Sequence, residues 1–488
     1  MHSLKLKALR VTLGLLLAVF LIYTLKENDS LSDKNTRNED TVHVGLSGRL
    51  DLPLSPENIS SIPLYQIHIN LWGTILSKDP SEALSTITHV SADEKVYQFK
   101  LKSEAKFSNG RKITSSDVIG SLQRVISIQH EGHFNARNII DSIEKISDEE
   151  FAIHLKEVTP SFLFLLTIPE LGIVPNEILD ANGKIQNLEI TSGAYSVSRI
   201  EDQYTLLLTE NPYFIGRRSD APKKVRVHFY EDIVTLFAKM EEGLLDFVEL
   251  YDSSSLKKIS EVKGQQSFSD YRLISTRPSY SFYLSTNTLI LGEKERQALS
   301  SLIQRNLNYN LIAGLEKRSY ELLPPKSFGA LNITSAPAFQ PDTHLPKEIK
   351  MIKTTSPLNQ AVGSTLENAG IKVTWLDPKN RDKADILLRG QGMNADYPEI
   401  ELHLMLLSPW AILEASQEEK QALTEAMHEN DEARHSTIQR IQSSLLYDGR
   451  AIPLLVRSYI HGFKASSLAN PNHAEYDGDV RFYQMTLR

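Results

Sequence analysis

The sequence predicts an α/β architecture, and three observations carry that expectation. Strand-like and helix-like segments alternate from Val42 onward instead of separating into blocks. Apolar spacing switches repeatedly between a period of two and one near 3.6. The chain has 488 residues, 41% hydrophobic and 23% charged, which is length enough for roughly two to four domains.

Ahead of the alternation lies a different kind of segment. Lys5, Lys7 and Arg10 precede an uncharged run from Val11 to Leu25. Basic residues followed by an apolar stretch read as an export signal with its N-terminus held inside. Fifteen helical residues reach about 22 Å against a hydrocarbon core of roughly 30 Å. That suits a signal segment, or a short anchor whose flanking Arg10 and Lys26 snorkel. An Ala-x-Ala cleavage pattern is missing, with Ser30 and Ser32 the nearest small-residue pair, so an uncleaved anchor over residues 1–25 is expected. Residues 26–40, KENDSLSDKNTRNED, hold too little apolar surface to order themselves and read as a flexible spacer.

The run from 96 to 118, VYQFKLKSEAKFSNGRKITSSDV, packs three local instructions together. Tyr97, Phe99 and Leu101 alternate with Gln98, Lys100 and Lys102 as in a strand. Asn109-Gly110 supplies a positive-φ turn. Thr114 and Asp117 form a capping signature ahead of Val118, Ile119, Leu122, Val125 and Ile126 at helical spacing. Further on, FAIHLK, YTLLLTE and KVRVHFY read as strands, and EDIVTLFAKMEEG as a helix closed by Gly243. SYSFYLSTN is a strand, followed by a helix with Ala298, Leu299, Leu302, Ile303, Leu307 and Leu311 on one face. KMIKTT, IKVTW and ADILLRG are strands around a helix, LNQAVGSTLENAG, that Gly370 stops. Residues 418–446 read as one or two amphipathic helices, and AIPLLVRSYIHGFK as a final strand region.

Composition excludes several function classes. Net charge is −8 with no long basic block beyond the first dozen residues, so no nucleic-acid partner is expected. With no cysteine, disulfides, thiolate metal sites and cysteine nucleophiles are excluded. GQGMNA imitates a dinucleotide fingerprint, but Pro398 would break the helix that fingerprint must open. His130 and His133 lack a recognisable third metal ligand. Glu399 and Glu401 read as solvated charges on one side of a strand. There is no nucleophile elbow and no phosphate loop. The expectation is therefore a protein that is not an enzyme and carries no cofactor and no metal.

Over thirty positions, VYQFKLKSEAKFSNGRKITSSDVIGSLQRV resembles the signature of the family 5 extracellular solute-binding proteins, the oligopeptide- and dipeptide-binding receptors of ABC importers. Other stretches follow in the family's order. FAIHLKEVTPSFLFLLTIPELGIVPNEI is similar to the segment leading to its Val-Pro element. TSGAYSVSRIEDQYTLLLTENPYFIGR is similar to its Gly-x-Tyr strand pair, and LFAKMEEGLLDFVE to its helix and Gly-x-x-Asp step. FYLSTNT and AIPLL stand where the family has Phe-Asn-Thr and Ile-Pro-Leu. The resemblance runs from about residue 42 to the C-terminus.

It implies a two-lobed periplasmic-binding-protein fold of the class II, peptide-binding type, with an extra subdomain and, in this chain, an N-terminal membrane helix. Lobe I would comprise 41–66, 189–272 and 456–488, the extra subdomain 67–188, and lobe II 273–455. A peptide or similar small solute would lie between the lobes for delivery to an ABC permease, at the outer face of the cytoplasmic membrane. Asp396, in MNADYPEIELHL, matches the family's Asp-Tyr motif, whose carboxylate pairs with the ligand's α-ammonium; Tyr397, Met393 and Trp72 are further candidates for the ligand's walls. Departures fall on loop residues, while the scaffold signals remain. Met393 replaces the usual Trp, the Asp-Pro-Phe continuation is absent, and Gly193-Ala194-Tyr195 replaces Gly-Pro-Tyr. A membrane-tethered sensor or scaffold that kept the fold but binds a protein partner is the alternative reading. A hydrolase acting on envelope material rests on scattered acids alone.

Overall fold

The run beginning at Val96 folds as its spacing dictates. Val96–Leu101 is a strand with Tyr97, Phe99 and Leu101 buried. Gly110 takes a φ of +84°, the left-handed turn that the Asn-Gly pair supplies. Helix Ser115–Ser127 follows. Asp117 accepts hydrogen bonds from the Thr114 N–H at 2.9 Å and the Thr114 hydroxyl at 2.8 Å. Arg111 closes on the same carboxylate in a fork at 2.8 and 2.9 Å. Burial alone would raise this carboxyl, but Arg111 and Thr114 hold it below its ordinary value.

The computed structural model describes residues 40–488, except 58, 60, 128–135, 251–257, 260, 263–264, 313, 337–343, 408–412 and 471–477. The helix expected over 1–25, all but the last residue of the spacer, and His130 and His133 lie outside the described residues. Among the described residues no helix is long and apolar enough to cross a membrane, and no three His, Asp or Glu side chains are grouped to hold a metal ion.

A mixed sheet dominates. Its order is Lys372–Leu376, Glu348–Ile352, Ile386–Gly392, Tyr271–Thr286, Ala451–Lys464, Phe247–Leu250, Thr41–Ser47, Lys224–Tyr230, Thr205–Glu210 and Tyr195–Asp202. Glu316–Arg318 pairs off this path with Ala451–Lys464. Two long antiparallel strands, Tyr271–Thr286 and Ala451–Lys464, connect the halves. They pair with each other along both zones, while Ile460–Phe463 joins the first half-sheet and Tyr280–Thr286 the second. Between the two zones the register shifts around Pro278, whose missing N–H interrupts the ladder.

Separate apolar cores accompany the two halves. Val42, Ile67, Leu206, Val225 and Phe482 share one core with Trp72, and Leu236, Phe237 and Val248 form another beneath the same half-sheet. Leu284, Leu299, Ile349 and Val362 form a core on the second half, and Met405, Leu423, Ile441 and Leu445 one more. A four-stranded antiparallel sheet, Ser85–Val90, Val96–Leu101, Glu150–Leu155 and Ile140–Lys145, has its own core around Phe99, Phe107 and Phe151.

Several expectations shift in detail. The strand expected from Ser279 begins at Tyr271, because residues on both sides of Pro278 find partners in one long neighbour. The helix expected to carry Leu307 and Leu311 ends at Asn306; Leu307 caps it, and both leucines still pack on the same core. Residues 418–446 divide into Gln417–Ala426 and Asp431–Tyr447, each opened by a side-chain cap, Ser416 and Asn430. Glycine at 193 is required by close approach: a Cβ there would stand 2.5 Å from the Leu71 carbonyl carbon.

Candidate functional site

In open α/β sheets, ligand sites form beyond the carboxyl ends of parallel strands. Here Phe247–Leu250 runs parallel to Thr41–Ser47, and Ile386–Gly392 parallel to Glu348–Ile352. Glu249 therefore lies at one carboxyl end, and the loop from Met393 to Pro398 follows the other. Between them the connecting strands place Tyr280 and Tyr459 edge to face, with ring centroids 5.9 Å apart. Tyr459 donates its backbone N–H to the Thr276 hydroxyl at 3.0 Å, beside the interrupted register. Gly392 leaves room for the Tyr459 hydroxyl, which would meet a Cβ there at 3.2 Å.

Of the residues expected from sequence, Asp396 and Tyr397 sit on the loop after Gly392. Asn394 organises that loop, its side-chain oxygen accepting the N–H groups of Asp396 and Tyr397, both at 2.9 Å. The Asp396 side chain is exposed. Tyr397 stacks on Phe164, ring centroids 5.3 Å apart, and has the Arg434 guanidinium 5.0 Å from its ring. Met393 is 5% exposed and donates its N–H to the Ser279 carbonyl at 2.7 Å. Trp72 is 2% exposed, ends helix Ile62–Leu71, and donates its indole N–H to the Leu54 carbonyl at 3.3 Å. The structure thus brings Asp396, Tyr397 and Met393 onto one loop, while Trp72 lies in the first half's core.

The same loop reaches the four-stranded unit. Besides the Phe164–Tyr397 stack, Ile400 and Met427 pack on that unit's core. His428 Nδ1 stands 3.0 Å from the Val158 carbonyl and 3.2 Å from the Thr159 hydroxyl.

Glu399 and Glu401 require a correction. They open a helix, Glu399–Leu406, with Pro398 at its N-cap, and are not solvated strand charges. Proline suits a helix start and acids suit its first turn. Glu399 is fully buried and meets Arg434 at 2.6 Å. Burial pushes the Glu401 carboxyl up to about 8, with Glu399 adding to the rise. One Glu401 oxygen is buried without a hydrogen-bond partner.

Sequence reasoning missed the buried acids that lie where the two half-sheets meet. Glu249 is completely buried; its Oε1 accepts from Gln66 Nε2 at 2.7 Å, and its Oε2 has no hydrogen-bond partner. Burial pushes this carboxyl up to about 8, against the Gln66 bond, and nearby Asp479 adds to the rise. His461, directly opposite in the ladder, holds Nε2 4.0 Å from Glu249 Oε1. Glu170 is likewise raised to about 7 by burial, with Asp479 contributing. The Tyr459 hydroxyl is held well above its ordinary value by burial first, then by Tyr280, Glu249, Asp479 and Glu401. A signal was available: Glu249 is an acid in an otherwise apolar strand, FVEL, buried throughout, where a charge is unexpected unless partnered.

Two half-sheets, each with its own cores, joined by a pair of crossing strands and converging on a shared polar floor, define a two-lobed solute-binding protein. The chain belongs to the bacterial extracellular solute-binding proteins, family 5, whose middle-region model matches residues 79–350, more than half of the chain. Among curated relatives, a protein of Brucella ovis provisionally named as an ABC transporter peptide-binding protein is 30% identical over 179 residues, covering 35% of this chain and 33% of that protein. The chain thus spans about a third of that relative's length. Among solved structures, NikA from Brucella suis in complex with Fe(III)-EDTA superposes with a TM-score of 0.77 at 16% identity, covering 91% of this chain and 100% of that one. The ABC transporter-associated periplasmic binding protein DppA from Helicobacter pylori, in complex with the peptide STSA, gives 0.75 at 16% identity, over 92% and 98%. Both share the two-lobed fold.

Proposed function

We propose that this chain is an extracytoplasmic receptor that captures a peptide or similar small solute between its lobes and presents it to an ABC-type permease. The observation that carries the reading is the meeting of two half-sheets at Pro278, with the carboxyl ends of parallel strands from both halves directed to one floor. A family 5 scaffold and a relative named for peptide binding support it. In this reading lobe I is 41–66, 189–272 and 456–488, the subdomain 67–188, and lobe II 273–455. Closure is a hinge motion about the two shared strands, and a ligand drives it only through contacts available when closed. The Phe164–Tyr397 stack and the His428 contacts join the subdomain to lobe II.

Asp396 is the partner for the ligand's α-ammonium, with Tyr397 at its side and Met393 and Trp72 backing the walls. The apolar segment 11–25 holds the receptor at the outer face of the cytoplasmic membrane as an uncleaved anchor. Melting curves with tripeptide pools test the ligand class. A rise in melting temperature with at least one pool, reduced in Asp396→Ala, is expected; no shift with any pool removes peptide as the ligand.

A further inference from the structure

Among the described residues, the lobe floor gathers several acids, and two of them keep an oxygen that no donor reaches. Asp479, 6% exposed, pairs with Lys78 at 3.5 Å and Arg481 at 3.3 Å. Arg481 also meets Glu82 at 3.3 Å, and Arg434 is committed to Glu399. Glu249 and Glu401 each keep a buried oxygen with no hydrogen-bond partner. They come from opposite sides, a strand end of one half-sheet and a helix of the other, and both sides close on Tyr459: Gly478, whose carbonyl holds Gln66, would put a Cβ 3.0 Å from the Tyr459 ring, and Gly392, where the loop to the Glu401 helix begins, would put one 3.2 Å from its hydroxyl. Glu170, from the four-stranded unit's side, keeps a third such oxygen.

An unsatisfied buried acceptor destabilises the fold, more so when it is charged. Glu249 is held in that state by a built environment. Gln66 fixes its other oxygen, and Gln66 is itself fixed by the Gly478 carbonyl at 2.9 Å and the Val480 N–H at 2.7 Å. A carboxyl positioned this firmly, with one oxygen left over beside the Tyr459–Tyr280 pair, has the form of a binding group awaiting a donor. The donor that such an oxygen lacks is supplied by an ammonium or guanidinium group, whose N–H bonds a carboxylate accepts at short range.

We propose that Glu249 and Glu401 form a second cation subsite, gripping from both lobes an ammonium or guanidinium group of the ligand other than the one assigned to Asp396. This inference rests on the receptor reading above and narrows its ligand class to solutes carrying a basic group. Each carboxylate can accept a charge-assisted hydrogen bond, and a guest that bridges the two lobes stabilises the closed form.

Calorimetric titration of the full-length protein at pH 8 with Ala-Ala-Ala, tripeptide pools bearing one Lys or Arg, and the diamine cadaverine tests it. The basic pools are expected to bind at least roughly tenfold tighter than Ala-Ala-Ala, as a charge-assisted contact would give. Glu249→Gln and, independently from the other lobe, Glu401→Gln should each collapse that ratio toward one. Equal affinity for basic and neutral peptides, or a preference that survives both variants, overturns the subsite and leaves the receptor reading standing. Cadaverine binding that is lost in Glu249→Gln, with no peptide bound at all, supports the subsite and removes the peptide reading. No binding by any probe overturns both.

Discussion

Replacing Glu249 by glutamine separates the energetic burden of the buried acid from its use. Glutamine keeps the shape and an oxygen that still accepts from Gln66, but it never ionises. In the folded chain the carboxyl is raised from its ordinary 4.5 to about 8, so across that window the native state keeps a proton that the unfolded chain has released. Stability contributed by this group is therefore intact below about pH 4.5, falls as pH rises, and levels off above about pH 8. Linkage puts the loss on the order of 4 kcal/mol at pH 8 and under about half a kcal/mol at pH 4.5. With unfolding entropy near 2 cal/mol/K per residue, a chain of 488 residues converts about 4 kcal/mol into roughly 4 °C.

The groups facing Glu249 are Gln66, His461, Asp479 and Tyr459, and all are retained in the variant, as are Glu170 and Glu401. Their titration enters both proteins and largely cancels in the difference. Scanning calorimetry of ligand-free wild type and Glu249→Gln at pH 4.5, 6 and 8 reads it. The variant should melt together with wild type at pH 4.5 and several degrees higher at pH 8. A difference that does not change with pH, or a variant that melts lower at pH 8, refutes the assignment of an ionisable, desolvated acid at this position. The expected gain in stability is the counterpart of a binding group kept at a cost to the unliganded fold.

Two further outcomes follow from the packing. Arg457, on the connecting strand Ala451–Lys464, and its ladder partner Glu316 form a buried pair at 2.6 Å, with the guanidinium 4.2 Å from the Phe282 ring; Glu316→Gln should cost about 3–5 kcal/mol, read as a melting temperature lower by several degrees. Phe164→Ala removes the stack on Tyr397, worth about 0.5–1.5 kcal/mol beyond area burial, and should weaken ligand binding roughly 2- to 12-fold while leaving circular dichroism unchanged.

Local chemistry was legible in the sequence wherever it was regular. The strand at Ala451–Lys464 has the bounds its composition proposes, and the Thr114–Asp117 cap, the Asn-Gly turn and the two late helices form where their residue types require. Two kinds of feature were not legible. Pro278 suggests a strand boundary, yet Tyr271–Thr286 passes through it, because a partner 14 residues long pairs on either side. Pairing across that distance leaves no trace in a local pattern. Glu399 and Glu401 alternate like surface strand residues, but Pro398 starts a helix that buries Glu399 and leaves Glu401 half-buried with one oxygen inside.

The site divides in the same way. Asp396 and Tyr397 are proposed through their dipeptide motif, whereas Glu249 and Tyr459 lie far apart in the chain and meet only through the sheet. Glu401, one of a pair of alternating acids, gives no hint of the tyrosine whose hydroxyl it influences. What distinguishes Glu249 in sequence is its setting among Phe247, Val248 and Leu250, a setting that becomes informative once all four are known to be buried.

Native mass spectrometry of the full-length protein, purified without denaturation from a bacterial envelope, bears on whether the lobes trap a solute at all. The expected spectrum contains the protein with a small noncovalent guest that fragments as a basic peptide and is depleted in Glu249→Gln. A spectrum of bare protein that also takes up no member of the tripeptide pools would contradict capture of a solute between the lobes.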